Sequence, residues 1–141
     1  NIPTAIDTSG MFDITDDIKE LLKFTDLVLL DIKHIDSTKC KDLVGFSNEK
    51  ELAFARYLSD NNIDIWIRQV LVPGITDDEK DLLKLKEFIS TLKTVKKIEI
   101  NPYHELGKFK WEELGLKYPL EGVRPADSND VDRAKKILEI K

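Results

Sequence analysis

The chain has 141 residues, 41% hydrophobic and 35% charged, with a formal net charge of −5. That length and balance fit one globular domain with a real core and exclude a disordered chain. The acidic surplus argues against a nucleic-acid partner, and no apolar run reaches the length of a membrane span.

Residues 2–6 form a short apolar run that stops at Asp7-Thr8-Ser9-Gly10, where Asp and Gly turn the chain. Thr15 then caps a helix with Asp16 and Asp17 in its first turn and Ile18, Leu21 and Leu22 as its stripe. Leu27-Val28-Leu29-Leu30 is apolar without alternation, which suits a parallel strand buried on both faces. It ends at Asp31-Ile32-Lys33-His34. Residues 36–47 read as a polar loop holding Cys40 and Gly45. Ser47 and Asn48 open a helix to about residue 61, with Leu52, Phe54, Ala55 and Leu58 inward. Residues 63–72 are a third strand, stopped by Pro73-Gly74. Thr76-Asp77-Asp78-Glu79 reads as a capping box, with Leu82, Leu83, Leu85, Phe88 and Ile89 following to about residue 92. Residues 95–100 are a fourth strand. An aromatic, less regular stretch at 109–118 and a Pro- and Gly-bearing connection at 119–125 follow. Ser128 or Asn129 caps a last helix to residue 140.

Strand, polar cluster and helix recur in that order three times, which specifies right-handed βαβ units. A β/α barrel, an arc of one, and an open doubly wound sheet all fit. In each, reactive groups gather at the carboxyl ends of the strands. The polar residues at those ends are Asp7, Thr8, Asp31, Lys33, Arg68 and His104.

Asp7 and Asp31, with the Thr8 hydroxyl or a backbone carbonyl, could hold a hard cation through oxygen. Asp7 taken alone reads better as a turn residue. Lys33 lies two residues past Asp31 and shares its face, where it could grip a carboxylate or form a Schiff base. A surface lysine is as good a reading. Arg68, inside an apolar strand, calls for an anionic ligand or a structural carboxylate. His104 could donate a hydrogen bond or act as acid or base. His34, Tyr103 and Trp111 read as packing. Cys40 is the single cysteine, which excludes a disulfide framework and suits a cytoplasmic protein.

The stretch Leu30-Asp31-Ile32-Lys33, with Trp66-Ile67-Arg68, Val72-Pro73-Gly74 and Pro102-Tyr103-His104-Glu105-Leu106-Gly107-Lys108, resembles the pyruvate formate-lyase activating enzymes. These are radical S-adenosylmethionine proteins that activate glycyl-radical enzymes. The resemblance extends to Asp7-Thr8-Ser9-Gly10, Trp111 and residues 52–58 and 118–123. It implies a partial (β/α)6 barrel, with this chain holding the last four parallel strands and their flanking helices. It implies that Lys33, Arg68, Val70 and His104 contact S-adenosylmethionine. It also implies that Asp7, Thr8, the Leu29 carbonyl and Asp31 bind a monovalent cation. The implied reaction abstracts hydrogen from a glycine of pyruvate formate-lyase, with electrons from a reductant such as flavodoxin or ferredoxin.

The family's [4Fe-4S] cluster is held by three cysteines of a CxxxCxxC motif, and this chain has one cysteine. Residues 1–141 are therefore expected to be the C-terminal part of a radical S-adenosylmethionine barrel domain. The cluster-binding part is expected to be absent and the isolated fragment inactive. An open first strand and an uncovered barrel interior predict self-association, a disordered first strand, or both. Two alternatives stay open: an aldolase-type lyase using Lys33, and a non-catalytic barrel fragment that pairs with another chain.

Overall fold

Among the described residues four apolar runs form strands: β1 (Ala5–Thr8), β2 (Leu27–Asp31), β3 (Asp64–Leu71) and β4 (Val95–Pro102). The computed structural model describes residues 2–140. All neighbours pair in parallel, in the spatial order β1-β2-β3-β4. Among the described residues six helices lie between and after them. They are α1 (Asp16–Leu22), α2 (Ser37–Val44), α3 (Glu49–Asp60), α4 (Glu79–Ser90), α5 (Lys108–Glu113) and α6 (Ser128–Leu138).

Alternation along the strands decides between the three candidate architectures. Val28 and Leu30 of β2, Ile65, Ile67 and Leu71 of β3, and Ile100 of β4 are buried. They pack with Leu22 of α1, Phe54 and Leu58 of α3, Leu82 and Leu85 of α4, and Ala134 of α6. All four of these helices therefore cover one face of the sheet. The intervening side chains, among them Leu29, Asp31, Trp66, Arg68, Val70 and Glu99, are half-buried or exposed on the other face. Sequential strand order with helices on one face is a singly wound arc of a β/α barrel. A doubly wound sheet reverses its order and is covered on both sides.

This arrangement corrects the reading of β2 as buried on both faces. Leu27 and Leu29 are only half-buried, because no helix among the described residues covers their side. The first strand pairs with β2 in register, Asp7 beside Leu29.

Several local expectations shift. Residues 36–47 are not a loop: Asp36 caps α2 by accepting from the Lys39 N–H at 3.0 Å. Gly45 ends that helix at φ 85°, the left-handed conformation that favours glycine. Cys40 is buried within α2, and burial pushes its thiol up to about 11. Thr76 does not cap α4; Asp78 does, accepting from Lys80 and Asp81. Thr76 instead closes the turn after β3, accepting from Val72 N and donating to Val70 O. Leu83 is 47% exposed rather than inward. Residues 108–113 form a short helix, and α6 is capped by Asp127 in a capping box with Asp130. The Arg124 guanidinium and the Asp127 N–H hold the Asp130 carboxyl down at about 2.

Candidate functional site at the carboxyl ends of the strands

The register sets Asp31 beside Arg68 on the uncovered face, with Asp7 on the next strand out. Arg68 reaches both carboxylates. Its Nε donates to Asp31 Oδ1 at 2.6 Å, and its Nη1 donates to Asp7 Oδ2 at 2.8 Å. Its Nη2 donates to Asp7 Oδ1, completing a bidentate pair. Lys33 Nζ donates to Asp31 Oδ2 at 2.8 Å. Asp31 is thus the hub, with one cation on each oxygen. The Asp7 and Asp31 carboxylates raise the Arg68 pKa further above its ordinary value, against the effect of burial.

The four groups carry two negative and two positive charges. Arg68 is 17% exposed and Asp31 21%, so the network is partly desolvated. Such a network contributes modestly to stability while intact, and removing one member is costly because its partners lose their counter-charge.

Apolar surface lies beside it. Trp66 precedes Arg68 on the same face, with Lys97 Nζ 4.8 Å from its ring centroid. Val70, two residues past Arg68, is 38% exposed. His104 leaves the same end of the sheet beyond β4 and is exposed. Thr8 alternates with Asp7, and its hydroxyl accepts from the Gly10 N–H at 3.0 Å. Leu29 sits beside Asp7 in the ladder. The structure therefore joins Asp7, Asp31, Lys33 and Arg68 directly. Val70 and Leu29 lie on the same face, and Thr8 is engaged in its own turn. Among the described residues no group of three or more His, Cys, Asp or Glu side chains is arranged to hold a metal.

His34 and Tyr103 pack as expected. His34 Nδ1 accepts from the Asp36 N–H at 3.0 Å, which leaves Nε2 to donate to the Ile75 carbonyl at 3.2 Å. The Tyr103 hydroxyl meets that of Tyr118 at 2.7 Å.

Two buried polar residues behind the rim were not anticipated. Asn48, read as a helix cap, gives its side chain to the chain after β2. Glu51 is wholly buried, and its Oε2 accepts from the Lys33 N–H at 3.4 Å. Burial pushes Glu51 up to about 8. The signal for it was present: Glu51, Phe54, Ala55 and Leu58 follow i, i+3, i+4, i+7 spacing, so a carboxyl stands on the apolar stripe.

No protein-family model matches the chain. It is 54% identical over 120 residues to the pyruvate formate-lyase-activating enzyme of Streptococcus mutans, covering 85% of this chain and 46% of that protein. It is 46% identical over 139 residues to the pyruvate formate-lyase 1-activating enzyme of Escherichia coli, covering 98% and 56%. The chain is homologous to the pyruvate formate-lyase-activating enzymes. It spans about half the length of these curated activating enzymes. A crystal structure of a domain of pyruvate-formate lyase-activating enzyme from Bacteroides vulgatus superposes with a TM-score of 0.78. The match has 23% identity and covers 98% of this chain and 76% of that one. At that identity it speaks for the fold, a parallel α/β arc of the kind activating enzymes use.

Proposed function

We propose that this chain is the C-terminal part of a glycyl-radical enzyme activase and supplies one wall of its S-adenosylmethionine cradle. The observation that carries this reading is the Asp7–Arg68–Asp31–Lys33 network on the uncovered face, in a chain homologous to activating enzymes. Lys33 and Arg68 offer cationic donors of the kind that grip a ligand carboxylate. Val70 gives apolar surface to the methylene chain or adenosyl group of the ligand, and His104 adds a donor at the same end. The donor set suits a zwitterionic amino-acid moiety. Bound S-adenosylmethionine, with a reduced [4Fe-4S] cluster, supplies the hydrogen-abstracting power in this reading. The chain's own side chains bind and orient; none is assigned a proton transfer.

The cluster does not fit the residues present. Three thiolates are needed, and the chain has Cys40 alone, buried within α2. No step through the cluster is assigned to this chain. In this reading its ligands would lie in the part of the activating enzymes that this chain does not span.

The monovalent cation assigned to Asp7, Thr8, the Leu29 carbonyl and Asp31 meets a competitor. The same two carboxylates hold the Arg68 guanidinium. Cation binding would free Arg68 from them and release it toward the cofactor. Potassium or sodium should then tighten cofactor binding relative to a bulky organic cation at equal ionic strength. In the intact enzyme the partner would be the glycyl-radical domain of pyruvate formate-lyase, with flavodoxin or ferredoxin as reductant, in the cytoplasm. The Schiff-base alternative is disfavoured, because the Lys33 nitrogen is committed to Asp31 at 2.8 Å.

Calorimetric titration with S-adenosylhomocysteine tests the cradle without needing the cluster. Asp31→Ala and Lys33→Ala should each weaken binding about tenfold, the scale of one charge-assisted hydrogen bond. Binding unchanged in both would overturn the assignment.

A further inference from the structure

The first turn of α3 is built unlike that of the other long helices. Asn48 stands at its N-cap, a position where an asparagine side chain ordinarily accepts from the helix's own free N–H groups. Here it makes no such bond. Its Nδ2 instead donates to the His34 carbonyl at 3.0 Å and the Ile35 carbonyl at 2.6 Å. One turn on, Glu51 accepts from the Lys33 N–H, and its Oε1 is buried with no partner. The opposite side of the same short segment is tied to the sheet, where the Ile32 N–H donates to the Arg68 carbonyl at 3.0 Å.

Residues 32–35 are thus gripped from two sides although they have left the sheet. Both side chains doing so are buried, Asn48 at 3% exposure and Glu51 at 0%. A helix that forgoes its own side-chain cap, and a core that accepts an incompletely bonded carboxyl, each give up stability. Such local losses concentrate where a functional geometry is held. What they hold is the arm carrying Lys33, whose ammonium must meet Asp31 across two residues of non-strand backbone.

We propose that Asn48 and Glu51 are positioning residues: together they clamp the backbone of the arm after β2 so that Lys33 is presented to the ligand in the cradle. The role rests on the cofactor reading given above. It is separable from that reading, because the clamp can be read on the protein alone. Gly10 completes the clamp. A Cβ there would stand 3.0 Å from Leu30 and Phe54 side-chain atoms and 3.5 Å from the Glu51 Cα, so the β1–α1 turn packs closely against the start of α3 and leaves no room behind Glu51.

The test uses the chain with Glu51→Gln, Glu51→Leu and Asn48→Ser. Glutamine keeps an acceptor for the Lys33 N–H and leucine does not. Serine returns a side-chain cap to α3 while removing both bonds to the arm, so it guards against a variant that merely fails to fold. The readouts are the Lys33 backbone amide resonance by NMR and the dissociation constant of S-adenosylhomocysteine. In Glu51→Leu and Asn48→Ser the Lys33 resonance should move and binding should weaken about tenfold, with the melting temperature held or raised in the former. Glu51→Gln should bind within about twofold of the parent. A Lys33 resonance unmoved in both Glu51→Leu and Asn48→Ser overturns the clamp. Unchanged binding in both, with the resonance moved, overturns its role toward the ligand. A parent chain that binds no S-adenosylhomocysteine at a concentration where light scattering gives the monomer mass overturns the cofactor reading instead, and the resonance still decides whether the clamp exists.

Discussion

Replacing Glu51 by glutamine should turn a pH-dependent fold into a flatter one. The Glu51 carboxyl is held at about 8 by burial, against an ordinary value of 4.5. Between those two values the unfolded chain has lost the proton that the folded chain keeps. The unfolded state therefore binds fewer protons there, and stability falls as pH rises, levelling off above about pH 8. Each pH unit is worth about 1.4 kcal/mol, so the distance from 4.5 to 7 is worth about 3 kcal/mol against the fold. Glutamine carries no such dependence. It leaves an amide group near the site of the unpartnered Oε1, a desolvation cost of about 1–2 kcal/mol. The glutamate chain should therefore be the more stable near pH 5, the two should cross near pH 6, and the glutamine chain should lead at pH 7 by about 1–2 kcal/mol. Urea unfolding of both proteins at pH 5, 6, 7, 8 and 9 measures this directly. Stability curves that run parallel across that range would refute a buried, proton-holding Glu51.

Three further outcomes are expected. Gly10→Ala should lower stability by about 1–2 kcal/mol in thermal melts, since Gly10 sits at φ +66° and the added methyl meets Leu30 and Phe54. Leu58→Ala, removing a side chain with no exposed surface from between α3 and the sheet, should cost about 3 kcal/mol in urea unfolding. The chain in isolation should self-associate through its uncovered sheet face. Light scattering over a concentration series should show a rising mass, and a constant monomer mass at millimolar concentration would contradict it.

The strands were legible because each is an apolar run between polar stops, and parallel order followed from the helices between them. The helix-rich loops were less so. Asp36 and Gly45 bracket α2 with correct start and stop residues. Its faces are so polar, with Cys40 its one fully buried side chain, that periodicity gave no warning. Thr76 carried the letters of a cap but was claimed by the turn after β3, a competition that only tertiary placement decides. At the rim, extended-chain spacing put Asp31 and Lys33 on one side, although β2 ends at Asp31 and Lys33 lies beyond it. Spacing could not show that Arg68 spans two strands to hold Asp7 as well, because that link depends on register across β2. Glu51 stands on the apolar stripe of α3, and spacing alone does not distinguish a carboxyl sunk in that stripe from one at its edge.

The indole of Trp66 stands on the unshielded side of the sheet, in the row that runs through Arg68 to Val70, while Trp111 lies far along the chain in α5. Whatever settles over that row must strip water from the ring and disturb the lysine above it. Emission from Trp66, isolated by changing Trp111 to phenylalanine, would then shift to shorter wavelength, an optical gauge of filling that needs no label.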